Sequence, residues 1–351
     1  MSKTCVFPVE ALRRFMVQAL AAAGVSGPEG EIVADNLLKA DLWGLDTHGV
    51  SRFPVYFKRI LAGAVNPKPA VKIANPWPAV LTVDGDNGLG AVVTVRAMEA
   101  AMPLADRFGL CAAGIKATNH FGAAGYYCDL AARRNYITVL MADSPAAIPP
   151  WGGKEAYFGT NPIAVGLPRR EEPPVVVDLA TSVAARGKII AAAKRGEAIP
   201  EGWALDQAGF ATTSAADALA GSLLPMAGPK GYGLALVVEH LAGVMTGAAF
   251  GRDVPWQYSE KQEPGKVGNI MILIRADAFL SMEEYYERTE RFCQEIKTCE
   301  KAAGADEIYL PGDRRRQMEE KLSASGITVG ESLGSELAAI AETYGLSLSE
   351  S

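Results

Sequence analysis

Apolar positions recur at helical spacing through the opening of the chain. Over 8–24, Leu12, Phe15, Met16 and Leu20 share one face, and over 29–43, Ile32, Val33, Leu37 and Leu38 do the same. Gly24 ends the first predicted helix, and Pro28 precedes the second. A loop containing His48 follows, then a third predicted helix over 53–61 that stops before Gly63 and Pro67. From about residue 78 the period changes. The pattern predicts a strand over 79–84, a turn over 85–90 and a helix over 91–108. A strand over 110–116, a helix over 122–134 and a strand over 136–142 come next. Further strands are predicted at 162–166, 174–178 and 268–275, and helices at 183–196, 230–247 and 281–301. Alternation of this kind implies an α/β layer. The tail, 315–351, returns to helix. The Gly/Pro-rich stretch 145–162 is a long loop, and loops of that length inside compact domains are usually functional.

Composition narrows the class. With 351 residues the chain can bury one large core or two. Hydrophobic content of 49% with 21% charged residues is ordinary for a soluble globular protein. A net charge of −6 argues against nucleic acid, which needs a concentrated basic face. Arg314-Arg315-Arg316 is the one tight basic cluster, and it reads as a solvated helix start. Five cysteines, none at metal-ligand spacing, support neither a disulfide framework nor a metal site, and they fit a reducing compartment. Met1-Ser2-Lys3-Thr4 is not followed by the apolar stretch of a signal peptide. The most apolar window, 233–250, holds Glu239 and His240, so it reads as a buried core helix and not a membrane span. The cytoplasm is the expected location.

Only three histidines occur, and two lie in polar, glycine-flanked loops: Asp46-Thr47-His48-Gly49 and Thr118-Asn119-His120-Phe121-Gly122. Histidine can trade protons near neutral pH, so both are candidate acid/base groups. Arg52 and Tyr56 lie four apart on the helix entered after His48. Arginine grips a carboxylate through two parallel hydrogen bonds, and a base, a clamp and a phenol would converge there. The third histidine, His240, reads as a packed structural residue of the apolar helix.

Dinucleotide binding by the familiar fingerprint is not indicated. Gly85-Asp86-Asn87-Gly88-Leu89-Gly90 follows a strand and precedes a helix, but its glycines are spaced GxxGxG and Lys116 stands where an acidic residue is expected. A plain tight turn is the better reading. Lys230-Gly231-Tyr232-Gly233, after Ala227-Gly228-Pro229, places a cation beside a helix start, which suits an anion; it equally suits close packing. Asp178-Leu179-Ala180-Thr181-Ser182 ends a strand, where α/β folds bind ligands, and also looks like an ordinary helix cap.

Taken in order, these segments resemble the type 2 malate/L-lactate dehydrogenase family, which includes ureidoglycolate and sulfolactate dehydrogenases. The resemblance rests on DTHGVSRFPVYFKRI (46–60), TNHFGAAGYY (118–127), PPWGGKEAYFGTNPIAVGLP (149–168), VVVDLATSVAARGKI (175–189) and LLPMAGPKGYGLAL (223–236). It implies an α/β fold that is not Rossmann: a mixed-sheet domain over 76–311 and a helical domain over 1–75 joined by C-terminal helices of 312–351. It implies a homodimer and NAD or NADP as hydride carrier, with NAD favoured. His120 matches the proton-transfer histidine of the ureidoglycolate branch, and His48 the residue with that role in the reductase branch. Arg52 and Tyr56 match substrate-holding positions; Ser144, Asp178, Leu179, Ala180 and Lys230 match cofactor-binding positions. The chain departs from many members at Asp143-Ser144-Pro145, in 259–268, and at Asn269-Ile270-Met271. These differences bear on the substrate.

The expectation is therefore an NAD(P)-dependent enzyme moving a hydride between nicotinamide and a small 2-hydroxy acid of malate, lactate or ureidoglycolate type. Its partners are that small molecule and a second copy of the chain, with neither nucleic acid nor membrane. The alternatives are NADPH-dependent reduction of a cyclic imine or diketo acid, and a non-catalytic dinucleotide-binding protein.

Overall fold

The computed structural model describes residues 4–259 and 262–348. Met1-Ser2-Lys3, two residues of the 259–268 stretch and the last three of the tail lie outside the described residues.

The chain opens with β1 (Thr4–Phe7), α1 (Val9–Ala22) and α2 (Gly27–Leu42). Two short turns, Asp46–His48 and Val50–Arg52, lead into α3 (Phe53–Leu61). Then come β2 (Lys72–Trp77), β3 (Val80–Gly88), α4 (Gly90–Phe108), β4 (Leu110–Thr118), α5 (Ala124–Ala132) and β5 (Tyr136–Ala142). After the long loop follow β6 (Ile163–Leu167), β7 (Val175–Leu179) and α6 (Arg186–Arg195). Small elements come next: β8 (Ala204–Leu205), β9 (Ala211–Thr212), α7 (Ala215–Ala220) and β10 (Ser222–Leu223). The chain ends with α8 (Pro229–Glu239), β11 (Val267–Arg275), α9 (Met282–Lys297), α10 (Asp313–Ser325), β12 (Ile327–Gly330) and α11 (Glu331–Tyr344).

Seven strands form one mixed sheet in the order β2-β3-β4-β11-β5-β6-β7. Only β3 and β4 run parallel, joined through α4; every other neighbouring pair is antiparallel. Strand β11 sits at the centre and reads Val-Gly-Asn-Ile-Met-Ile-Leu-Ile-Arg, the near-continuous apolar run of a strand covered on both faces. On one face Leu81, Ala113, Leu140 and Met271 pack with Met98 and Ala101 of α4 and Tyr127 and Ala131 of α5. On the other, Gly114 and Gly268 lie against Thr246 and Ala242, in the segment after α8.

The apolar stripe of α1 packs with Val33, Leu37 and Leu38 of α2 and with Phe53, Phe57 and Ile60 of α3. Leu337 and Ala341 of α11 join the same core. The two ends of the chain are tied directly, since β1 pairs antiparallel with β12 from Thr4↔Gly330 to Phe7↔Ile327. A third cluster, built on Ile189, Ala192, Ile199 and Ala218, covers α6, α7 and the three-stranded sheet β10-β8-β9.

Several expectations change. The tail is not helix throughout, because β12 interrupts it. Strands β1 and β12 have four residues each and pair only with one another, too short to show a period. Strands β2 and β8 to β10, and α7, have no counterpart in the expected elements. Helix 230–247 ends at Glu239 and passes into a widened turn, His240–Val244. It is not a buried core helix: Ala235, Val238, Glu239 and Ala242 face inward, while Leu236 and Val237 stay 43% and 46% exposed. An apolar run signals burial without saying by what. His240 is accordingly exposed, not packed. The Arg314–Arg316 cluster is not simply solvated either. Half-buried Arg315 donates from Nη2 to the Asp178 carbonyl at 3.0 Å, and its guanidinium lies over the Trp43 ring.

Candidate active site

The antiparallel order brings the C-terminal ends of β4, β5 and β7 and the N-terminal ends of β6 and β11 to one edge of the sheet. Helix α3 lies across that edge. Between them is a cleft whose enclosed space is about 80 Å³. His48 comes from the turn after α2, Tyr56 and Arg59 from α3, and Asn119 and His120 from the loop after β4. Asp143, Ser144, Thr160, Gln257 and Gly265 complete much of the wall.

The two loop histidines lie side by side, ring centroids 5.7 Å apart. The Tyr56 hydroxyl is 2.5 Å from His120 Nδ1, and the Gly122 backbone N–H donates to the same nitrogen at 3.3 Å. A backbone N–H can only donate, so Nδ1 acts as the acceptor and the neutral ring carries its proton on Nε2. His48 Nδ1 is 3.0 Å from the Thr47 hydroxyl. Burial, His48 and Arg52 hold His120 well below the ordinary imidazole value, and burial with Arg52 lowers His48 to about 4. Both rings are neutral at pH 7. Burial drives the Tyr56 phenol far above its usual value, so it stays protonated.

Asn119 locks the loop that carries His120. Its Oδ1 accepts from Arg59 Nη2 at 3.0 Å and from the Gly265 N–H at 3.1 Å, while Nδ2 donates to the carbonyls of Asn87 and Gly88. The same loop explains a glycine of the 85–90 segment. A Cβ at Gly90 would stand 2.2 Å from the Asn119 carbonyl oxygen, so the segment is a strand end and a close packing point.

Arg52 is not among the residues that wall the cleft. Its Nε donates to the Thr47 carbonyl, and its guanidinium lies over the Tyr258 ring at 5.3 Å. Among the described residues, neither Arg52 nor Arg59 has a carboxylate at ion-pair distance. Arg59 escaped the sequence reading, although 52, 56 and 59 share one helix face. It is buried, donating to the Glu263 carbonyl at 2.8 Å and to Asn119. Asp143 is 2% exposed; its Oδ1 accepts from the Gly268 N–H, and Oδ2 has no partner. Burial raises its carboxyl well above the ordinary range, with Glu239 adding to the shift.

Ser144, Asp178, Leu179, Ala180 and Lys230 lie along a strip that continues from the cleft. Ser144 Oγ is 3.3 Å from Thr160 Oγ1, Thr181 N donates to the Thr160 carbonyl, and Met226 N donates to the Thr181 carbonyl. The strip ends at Gly228, where α8 begins beside exposed Lys230. Asp178 accepts from the Gly125 N–H at 3.0 Å, which links the strip to the start of α5.

The family model for malate/L-lactate dehydrogenase matches residues 7–338. L-Sulfolactate dehydrogenase of Methanocaldococcus jannaschii is 37% identical over 340 residues, 96% of this chain and 97% of that protein. Its solved structure superposes with a TM-score of 0.92 over 98% of both chains. The (2R)-3-sulfolactate dehydrogenase (NADP(+)) of Chromohalobacter salexigens is 38% identical, covering 93% of this chain and 95% of its own length. Ureidoglycolate dehydrogenase (NAD(+)) of Escherichia coli strain K12 is 33% identical over 91% of each. The chain belongs to the malate/L-lactate dehydrogenase family. It is a 2-hydroxy acid dehydrogenase acting on a CH–OH group, with the non-Rossmann mixed α/β fold of that family. These relatives are dehydrogenases, which favours hydroxy-acid chemistry over the cyclic-imine and non-catalytic readings.

The depressed His48 has a measurable consequence. Below about 6.5 the unfolded chain takes up a proton at this residue, while the fold resists until about 4. The residue therefore costs stability as pH falls through that window and nothing above it. Denaturant titrations of wild type and His48→Gln should diverge between those two values, wild type falling relative to the variant. Parallel curves would show that the fold does not hold His48 neutral.

Proposed function

We propose that this enzyme interconverts a small 2-hydroxy acid and its 2-oxo acid, of malate, lactate, ureidoglycolate or sulfolactate type, with NAD or NADP. NAD is the first carrier to test. The observation that carries the reading is the meeting of His48, His120, Tyr56 and Arg59 in one cleft, with Arg52 at its margin. The chain's own residues suit a dinucleotide. The first turn of α8 has no side-chain cap, so its N–H groups and Lys230 can receive phosphate. Arg315 Nη1, buried 3.8 Å from Asp178 Oδ2, offsets the charge of that carboxylate beside the strip. Ser144, Asp178, Leu179, Ala180 and Lys230 would hold the cofactor, which supplies or accepts the hydride.

Arg52 orients the substrate carboxylate, and Arg59 stabilises the wall behind it. An anion bound against the two imidazoles raises their affinity for a proton, because an opposite charge favours the charged form. The substrate anion draws His120 to the imidazolium, whose Nδ1–H donates to the Tyr56 oxygen and whose Nε2 proton passes to the oxo-acid oxygen during reduction, leaving the ring neutral. Tyr56 holds the ring by Nδ1 throughout. In the reverse direction the ring takes the hydroxyl proton, and His48 positions the substrate beside it. Fixing the reacting carbons in place matters as much as the proton.

The proposed assembly is a homodimer in the cytoplasm. Exposed Leu234, Leu236, Val237, Val244 and Met245 line α8 and the turn after it, and they supply an apolar surface that a second copy would cover. All five cysteines are free thiols. Among the described residues no helix is long and apolar enough to cross a membrane. Light scattering should report a dimer for wild type and a monomer for Val237→Arg. A monomeric wild type would refute this assembly.

A panel of 2-oxo acids with NADH and NADPH, read at the nicotinamide absorbance, tests the reaction. Arg52→Ala should lose about 2–4 kcal/mol in kcat/KM, and Arg52→Lys should not restore it, because an ammonium lacks the planar fork. A substrate amide in place of the carboxylate should be nearly indifferent to both changes. Equal losses on acid and amide would remove the clamp from the account.

A further inference from the structure

Gly49 begins the short turn Val50–Arg52 and has no side chain with which to cap it. The acceptor arrives from elsewhere. Asp41, in the last turn of α2, accepts the Val50 N–H on Oδ2 at 2.7 Å. Its carboxylate lies flat on Gly49: a Cβ there would stand 2.0 Å from Asp41 Oδ1 and 2.1 Å from Cγ. Only glycine leaves this room. The residues on either side of the contact are His48 and, two positions beyond Val50, Arg52. Arg52 is in turn bound through Nε to the Thr47 carbonyl, and His48 to the Thr47 hydroxyl. One carboxylate thus braces the backbone between two side chains that the proposed reaction uses.

We propose that Asp41 is the positioning residue for His48 and Arg52: its carboxylate caps the Val50–Arg52 turn and fixes the backbone that carries His48 in the cleft wall and Arg52 at its margin. This rests on the reading of His48 and Arg52 given above. Asp41 itself is not part of the cleft wall, so it acts through the turn and not on substrate. Burial, and less strongly Asp46, push its carboxyl up to about 7, against the Val50 hydrogen bond. Either protonation state keeps an oxygen able to accept the Val50 N–H, so the brace holds across neutral pH. Asparagine, of the same shape and with a carbonyl oxygen, can make the same bond.

Two measurements on the full chain test this. Hydrogen exchange at the Val50 amide reads the brace without any reaction. It should be strongly protected in wild type and Asp41→Asn and at least about 10-fold faster in Asp41→Ala, with the amides of α1 and α4 unchanged. Oxo-acid reduction reads its use. Asp41→Ala should lose about 30-fold or more in kcat/KM, mostly through KM for the oxo acid, with NADH affinity by fluorescence titration unaltered; Asp41→Asn should recover most of it. Gly49→Ala, whose methyl displaces the carboxylate, should behave like Asp41→Ala. Unchanged Val50 exchange in Asp41→Ala, or equal losses in Asp41→Asn and Asp41→Ala, would overturn the proposal. A wild type that reduces no 2-oxo acid while Val50 exchange still depends on Asp41 would uphold the brace and refute the assigned reaction.

Discussion

The hydrogen bond between Tyr56 and His120 joins the two halves of the site, and both of its ends need the fold. Tyr56 reaches the imidazole because α3 lies across the sheet edge, and α3 lies there because Phe53, Phe57 and Ile60 are buried with α1, α2 and α11. His120 meets it because Asn119 and the tight approach of Gly90 fix the loop after β4. The pairing of β1 with β12 closes the helical core from which α3 is supported. A change far from the cleft can therefore reach the proton-bearing nitrogen through packing.

The electrostatics follow from that burial. The cleft contains two neutral imidazoles and a protonated phenol, and burial raises the carboxyl of its acid, Asp143, well above the ordinary range. Its fixed positive charge comes from Arg59 in the wall and Arg52 at the margin; Arg186 lies over the Trp256 ring at 5.0 Å, and Trp256 packs on the Tyr258 ring that Arg52 covers. Desolvation lowers the pKa of all three guanidiniums, the sign of cations set in a poorly hydrated place. Such a site favours an anionic ligand and penalises a neutral one, because an anion replaces the hydration the guanidiniums have given up. This agrees with an acid substrate and with hydride chemistry in which the protein supplies position and charge.

Much of the fold was legible in the chain. The helical period of α1 to α3 and the alternation from β3 to β5 give the layers, because amphipathic faces announce what they will bury. What escaped was set by partners distant in sequence. β1 and β12 exist through each other, and the exposed face of α8 reads like any core helix until its surroundings are known. For the site, the loop histidines stood out because histidine is rare here and both lie among glycines. The reach of Tyr56 to His120, 64 positions away, could not be read from spacing. Arg59 had a signal, its shared face with Arg52 and Tyr56. Asp41 had none, since nothing local says that a helix-end carboxylate will cap a turn nine residues on.

The central claim is that His120, held through Nδ1, moves the proton while other residues hold the cofactor. Single-turnover reduction of the best 2-oxo acid by cofactor-saturated His120→Ala measures it most directly. The account predicts a rate lower by about 100-fold or more than wild type, with an unchanged dissociation constant for the reduced cofactor. A rate within a few-fold of wild type, at equal cofactor affinity, would contradict it.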